Sequence, residues 1–192
     1  MTEVLPLRER KKLRTRQALA ETAVTLFTER GFEATTLDSL VEAVEVSKRT
    51  FFRNFRSKED VALTATTQFW ETYLQILATR EPAGPLIDML RDVLLDTVDR
   101  MDDYWYRQFL PTLRLLRATP ALEGHSRLYC TQVQAEIIRW LGRGSSLQTR
   151  LLVEIFIVGW HCAATEWVES GGSLGAAVER SFVAIATSTV LA

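Results

Sequence analysis

Apolar residues recur every three or four positions along almost the whole chain, and no run alternates apolar and polar residues over a strand's length. That period predicts an all-α protein. A first helix is expected over 8–30, with Leu19, Ala23, Leu26 and Phe27 on one face. Gly31 is its expected left-handed stop, and Phe32 can fold back onto the same face. Thr36 and Ser47 are N-cap residues for two short helices. The second helix would bury Leu37, Leu40, Val41 and Val44, and the third Phe51 and Phe55. Ser57-Lys58-Glu59-Asp60 matches a capping box and opens a helix over 58–80. Further helices are predicted over 85–101, 103–118, 121–142, 147–170 and 174–190. Pro82, Gly84, Pro85, Pro120, Gly142, Gly144 and Gly171-Gly172 punctuate them. Pro111 falls inside one of them and predicts a kink or a break near residues 108–109.

Residues 35–60 carry the most information. Two short helices joined by a tight turn have the layout of a helix-turn-helix. The helix after Ser47 has an aromatic side for burial and a polar side of Lys48, Arg49, Thr50 and Arg53. Free amides at its N-terminus suit a phosphate, and Ser47 and Thr50 add hydroxyls. Lys48 and Arg49 can reach base edges, and Arg pairs in bidentate fashion with guanine. Lys58 is expected to hold another phosphate. The candidate DNA-binding set is Thr36, Ser47, Lys48, Arg49, Thr50, Phe52, Arg53, Asn54 and Lys58.

Charge sharpens this picture slightly. The net charge over 192 residues is −1, so no global basic field exists. Residues 1–60 hold 12 Lys and Arg against 10 Asp and Glu. Arg8, Arg10, Lys11, Lys12, Arg14 and Arg16 cluster with only Glu9 opposing, which reads as an electrostatic arm for DNA. An apolar content of 47% is ample for a core. The two cysteines, Cys130 and Cys162, are expected as reduced thiols, not as a disulfide framework. No secretory signal is read at the start. The longest apolar stretch, 151–165, contains Glu154 and is shorter than the ~20 residues a membrane span needs. A cytoplasmic protein without membrane contact is expected.

Several short motifs in this region resemble the TetR family of bacterial transcriptional regulators. They are Leu26-Phe27-Thr28-Glu29-Arg30-Gly31-Phe32, Thr35-Thr36-Leu37, Val46-Ser47-Lys48-Arg49-Thr50-Phe51-Phe52 with Phe55, and Ser57-Lys58-Glu59-Asp60. The resemblance spans residues 14–62, and the Phe51-Phe52 pair is similar to an actinobacterial subgroup. Residues 109–122 and Gly171-Gly172-Ser173-Leu174 resemble members that sense lipophilic acyl compounds. The resemblance implies a homodimer bound to a double-stranded operator, with a DNA-binding head over 1–57. It also implies a ligand-binding and dimerisation body over 58–192, and a repressor released by a small, largely apolar effector. Two positions depart from the family. Glu45 stands where a turn glycine is usual, at a cost of roughly 1 kcal/mol if left-handed. Phe52 stands where a phosphate-binding Tyr is common, and it can only pack.

The body is rich in aromatics, most of them core material. A subset should line the implied cavity, and Trp70, Tyr73, Met89, Trp105, Phe109, Leu113, Tyr129, Val133 and Trp160 are the candidates. Arg114 and Arg117 are expected to pair with carboxylates, or else to meet an anionic head group. The last two helices are the implied dimer surface, through Leu151, Leu152, Ile155, Phe156, Val158 and Gly159 and a matching face of Ala176, Ala177, Phe182, Val183, Ile185 and Ala186. Gly159, Ala163 and Ala164 would permit close helix approach; the alternative is that these helices close the chain's own core, and both can hold on different faces. An enzyme is the poorest alternative. The only histidines are His125 and His161, no four-ligand zinc layout is visible, and no catalytic glycine motif is present. No cofactor and no metal are expected. A helical interaction protein without operator binding is the remaining alternative.

Overall fold

The computed structural model describes residues 6–142 and 146–188. Met1–Leu5, the expected stop at Gly144 and the last two positions of the expected final helix lie outside them. Ten helices are described, with no strand among the described residues: α1 (Leu7–Arg30), α2 (Leu37–Ala43), α3 (Lys48–Phe52), α4 (Lys58–Ala62), α5 (Thr64–Ala78), α6 (Leu86–Arg100), α7 (Asp103–Ala118), α8 (Pro120–Trp140), α9 (Leu147–Ser170) and α10 (Leu174–Ser188).

The caps do what their chemistry dictates. Thr36, Ser47 and Ser57 accept the amides of Ser39, Thr50 and Asp60 respectively. The capping box closes one residue early, because Asp60 accepts the amide of Arg56 at 2.8 Å. The expected helix over 58–80 is interrupted at Leu63, whose φ of −96° and ψ of 16° are off-helix. There Thr64 turns its hydroxyl back onto the Val61 carbonyl at 2.8 Å. Pro111 causes no break, and α7 runs unbroken from Asp103 to Ala118. The carbonyl that Pro111 leaves without an amide partner belongs to exposed Arg107. Pro120 opens α8 from its first turn, the position where a missing N–H costs least.

Two apolar cores result. The first joins Leu19, Ala23 and Phe27 of α1 to Leu40, Phe51 and Phe55, all at most 2% exposed. It also takes in Val61, Ala62, Leu63, Leu115 and Leu122, so the head rests directly on α4, α7 and α8. The second core is a ring assembly. Phe69 stacks on Trp160 at 4.4 Å and on Trp105 at 5.5 Å, and Trp105 stacks on Phe109 at 4.1 Å.

At 24 residues, α9 is long and apolar enough to cross a bilayer by length and composition, contrary to the shorter stretch read in the sequence. Nine of its residues, among them Val153, Phe156, Trp160 and Trp167, are instead buried inside the protein. The close approach expected at Gly159 is made within the chain, as the core alternative has it. A methyl group placed there would meet Ile185 Cδ1 at 2.8 Å and Phe182 Cζ at 3.0 Å. The Ser181 hydroxyl donates to the Gly159 carbonyl at 2.7 Å across the same contact. Phe156, Ala163, Ala164, Ala177 and Phe182 are likewise buried in the chain's own core. Gly159→Leu should therefore lower unfolding stability by about 1–3 kcal/mol through overpacking, measured by denaturant titration.

Candidate nucleic-acid interface and ligand cavity

The turn that aims α3 is built on an unusual residue. The Val46 amide donates to Val41 O at 2.9 Å and the Glu45 amide to Glu42 O at 3.0 Å. That is a Schellman closure, which needs a left-handed residue at Glu45. Its φ is +54°, the only positive value outside glycine among the described residues. The aromatic floor of α3 is fixed by Phe51, packed against Phe55 at 5.7 Å.

On the outer face Lys48, Arg49, Phe52 and Arg53 are exposed, Phe52 to 57%. Phe52 meets Phe51 edge-on at 5.4 Å and turns the rest of its ring outward. Lys48 pairs with Asp38 of α2 at 2.6 Å, both side chains more than half exposed. Such a pair is worth at most about 1 kcal/mol and is easily exchanged for a phosphate. Ser47 and Thr50 share a hydroxyl contact at 3.0 Å, and Thr36 shares one with Ser39 at 3.3 Å.

Two members of the expected set face inward. Lys58 donates to the Phe32 and Thr35 carbonyls, both at 2.9 Å, and lies 4.5 Å from the Phe32 ring centre. It ties α4 to the loop after α1 and is not a free phosphate clamp, because two of its N–H donors are committed to those carbonyls. Asn54 donates to Thr50 O at 2.8 Å and is half-buried. Arg16 departs from the basic run as well. Its guanidinium donates to the Asn54 carbonyl and sits 4.3 Å above the Phe55 ring. It clamps the end of α3 onto α1. The signal lay in spacing, since 16, 20, 23 and 27 share one helical face. Arg8, Arg10, Lys11, Lys12 and Arg14 remain exposed.

Beneath the head, α5, α7, α8 and α9 line a half-open cavity of about 640 Å³. Trp70, Phe109, Leu113 and Trp160 line it, with Thr66, Leu116, Cys130 and His161. The other five candidate ligand residues lie elsewhere. Tyr73 is fully buried, its hydroxyl directed at Leu90 O at 3.4 Å. Val133 is spent on the core, and Met89 packs on its margin. Trp105 donates to Ala65 O at 2.9 Å and borders a separate cleft of about 300 Å³ between α1, α5 and α7. Tyr129 borders a groove between the head and α8.

Charges gather at the rim of the cavity in pairs. Arg117 meets Glu169 at 2.7 Å, Arg127 meets Glu123 at 2.6 Å, and Gln134 donates to Glu154 at 2.8 Å. Cys130 Sγ and His161 Nε2 approach to 3.8 Å, a pairing that their separation by 31 residues hid from the sequence. Burial pushes the Cys130 thiol up to about 11. Lost hydration, helped by Arg127, holds the His161 imidazole below its ordinary value. Both shifts favour the uncharged forms. No group of three metal-ligating side chains occurs among the described residues.

The last two helices leave an apolar stripe outside. Leu147 (70%), Leu151 (52%), Ile155 (38%) and Val158 (55%) of α9 are exposed, as is Val183 (61%) of α10. Leu152 and Ile185 are half-covered.

A helix-turn-helix with a basic outer face, seated on a helical body with a cavity, defines a DNA-binding transcriptional regulator. Comparison with known proteins agrees. The family model for bacterial regulatory proteins of the tetR family matches residues 19–65. The HTH-type transcriptional regulator TcmR of Streptomyces glaucescens is 33% identical over 179 residues, covering 84% of this chain and 76% of that protein. The chain belongs to the TetR family. Solved structures share the fold: a transcriptional regulator from Aquifex aeolicus VF5 has a TM-score of 0.55 at 16% identity, covering 87% of this chain and 95% of the other. Salmonella enterica GusR has a TM-score of 0.54 at 17% identity, covering 86% and 87%.

The inward turn of Lys58 has a measurable consequence. Lys58→Met should cost about 1–2 kcal/mol of unfolding stability, from two lost charge-assisted hydrogen bonds. A residue serving phosphate alone would leave stability unchanged and reduce the salt slope of DNA binding by ~1.

Proposed function

We propose that the chain represses transcription as a homodimer in the cytoplasm and leaves its operator when a small, largely apolar molecule fills the 640 Å³ cavity. Residues 1–57 read DNA and residues 58–192 bind effector and partner subunit. Arg49, Phe52 and Arg53 form the contact face, joined by Lys48 once Asp38 releases it, with Thr36, Ser47 and Thr50 at its edge. Asn54 supports α3 from within.

The observation that carries the reading is the position of Leu116. It lines the cavity and also packs against the core of the head. A ligand that moves the end of α7 therefore meets the head directly. Two recognition helices must stand about 34–36 Å apart to enter successive major grooves. An effector that favours a different spacing shifts the population off DNA.

The dimer follows from the exposed stripe on α9 and Val183, which two-fold pairing would bury in a helical interface. Leu151, Ile155 and Val158 form its centre, with Leu152 and Ile185 at the margin.

Arg49→Ala should weaken specific binding by about 1–3 kcal/mol in a mobility shift on intergenic DNA beside the gene. Unchanged affinity would reduce Arg49 to a solvated charge, and no shift of any neighbouring intergenic DNA at low salt would refute the repressor reading. Val158→Glu should give a monomer in sedimentation analysis with its helical circular dichroism intact. A dimer that survives the change places the interface elsewhere.

A further inference from the structure

Among the described residues, three buried side-chain polar atoms have no hydrogen-bond partner: Asn54 Oδ1, Thr66 Oγ1 and Trp70 Nε1. Two of the three lie on the wall of the same cavity, four residues apart on one face of α5. Trp70 is 0% exposed and Thr66 7%. Buried polar groups are nearly always paired, so an orphan pair on one wall calls for a specific cause.

Elsewhere the chain satisfies groups of the same kind. The Trp105 and Trp167 indoles donate to the Ala65 and Gly172 carbonyls at 2.9 and 3.0 Å. On α5 itself, Thr64 and Thr72 turn their hydroxyls back onto Val61 and Gln68 carbonyls. The Ala62 carbonyl, the acceptor that route would offer, is approached by the Thr112 hydroxyl at 3.5 Å, and Thr66 makes no bond to it. Thr66 and Trp70 thus keep two unpaired donors in residues of the cavity wall.

We propose that the ligand of this cavity is an uncharged molecule with an apolar body and a carbonyl-type oxygen, which accepts hydrogen bonds from Trp70 Nε1–H and the Thr66 hydroxyl. The proposal rests on the reading of the cavity as an effector site. An indole only donates, so its partner must accept. A carbonyl oxygen has two lone pairs and can take both donors. An anion buried at these two donors would need a cation beside it, and the arginines on this wall, Arg117 and Arg127, stand exposed at the rim in pairs with Glu169 and Glu123. Burying an anion without a cation is costly. The opposite polar pair, Cys130 and His161, is shifted toward its uncharged forms. Phe109, Leu113 and Trp160 supply the apolar wall around the body.

The test is calorimetric titration of the full chain with matched probes, 1-indanone against indane and 9-fluorenone against fluorene. The ketones should bind at least tenfold more tightly than the hydrocarbons. In Thr66→Val and Trp70→Phe that gap should fall below threefold. Equal binding of ketone and hydrocarbon to the parent, or a gap that survives both substitutions, overturns the polar anchor and leaves the effector site standing. Failure of all four probes to bind overturns the anchor and the effector reading together. A second readout needs no ligand. Thr66→Val is close in shape and removes an unpaired hydroxyl, so its melting temperature should equal or exceed the parent's. A markedly lower value would show that the hydroxyl has a protein partner, and the anchor would fall with it.

Discussion

The last turns of α7 belong to two hydrophobic cores at once, and the organisation of the molecule depends on that sharing. Leu113 faces the cavity, Leu115 is 7% exposed within the core of the head, and Leu116 touches both. Packed interiors do not deform continuously, since side chains interlock at crystal-like density. A shift of this helix must therefore be shared with α1, α2 and α3 as a nearly rigid displacement. The break at Leu63 fits the same arrangement. It lets α4 follow the head while α5 remains part of the ring-stacked body. In the proposed mechanism, effector and operator compete for the position of one helix end.

Local chemistry made much of the fold readable beforehand. Thr36, Ser47 and Ser57 cap because a side-chain oxygen next to an apolar-periodic run has little else to bond. The positive φ at Glu45 follows from the turn's length, which holds whatever residue occupies it. What stayed hidden was decided by partners distant in sequence. Lys58 looks like a phosphate ligand until the Phe32 and Thr35 carbonyls, 26 and 23 residues away, are brought beneath it. Gly159 suits a subunit contact or the chain's own core equally until Ile185 and Phe182 fold over it.

The cavity residues divide on similar grounds. Trp70, Phe109, Leu113 and Trp160 reach the cavity, while Tyr73 and Val133 point into the solid part of the same bundle. Aromatic content marks a helix as buried. It does not say which side of a buried helix meets empty space, because that depends on how neighbouring helices cross. Cys130 and His161 were illegible for the same reason, each being unremarkable on its own helix.

The ion pair between Lys48 and Asp38 bears on how such a head would tell its operator from other DNA. It occupies one cation of the outward surface while Arg49, Arg53 and the basic residues of α1 over 8–14 stay exposed. Affinity for arbitrary duplex scales with the number of phosphates neutralised. If Lys48 exchanges Asp38 for a phosphate only where α3 is fully seated in the groove, it adds to that number at the operator and not elsewhere. The exchange would then widen the gap between the operator and the vast excess of irrelevant sites.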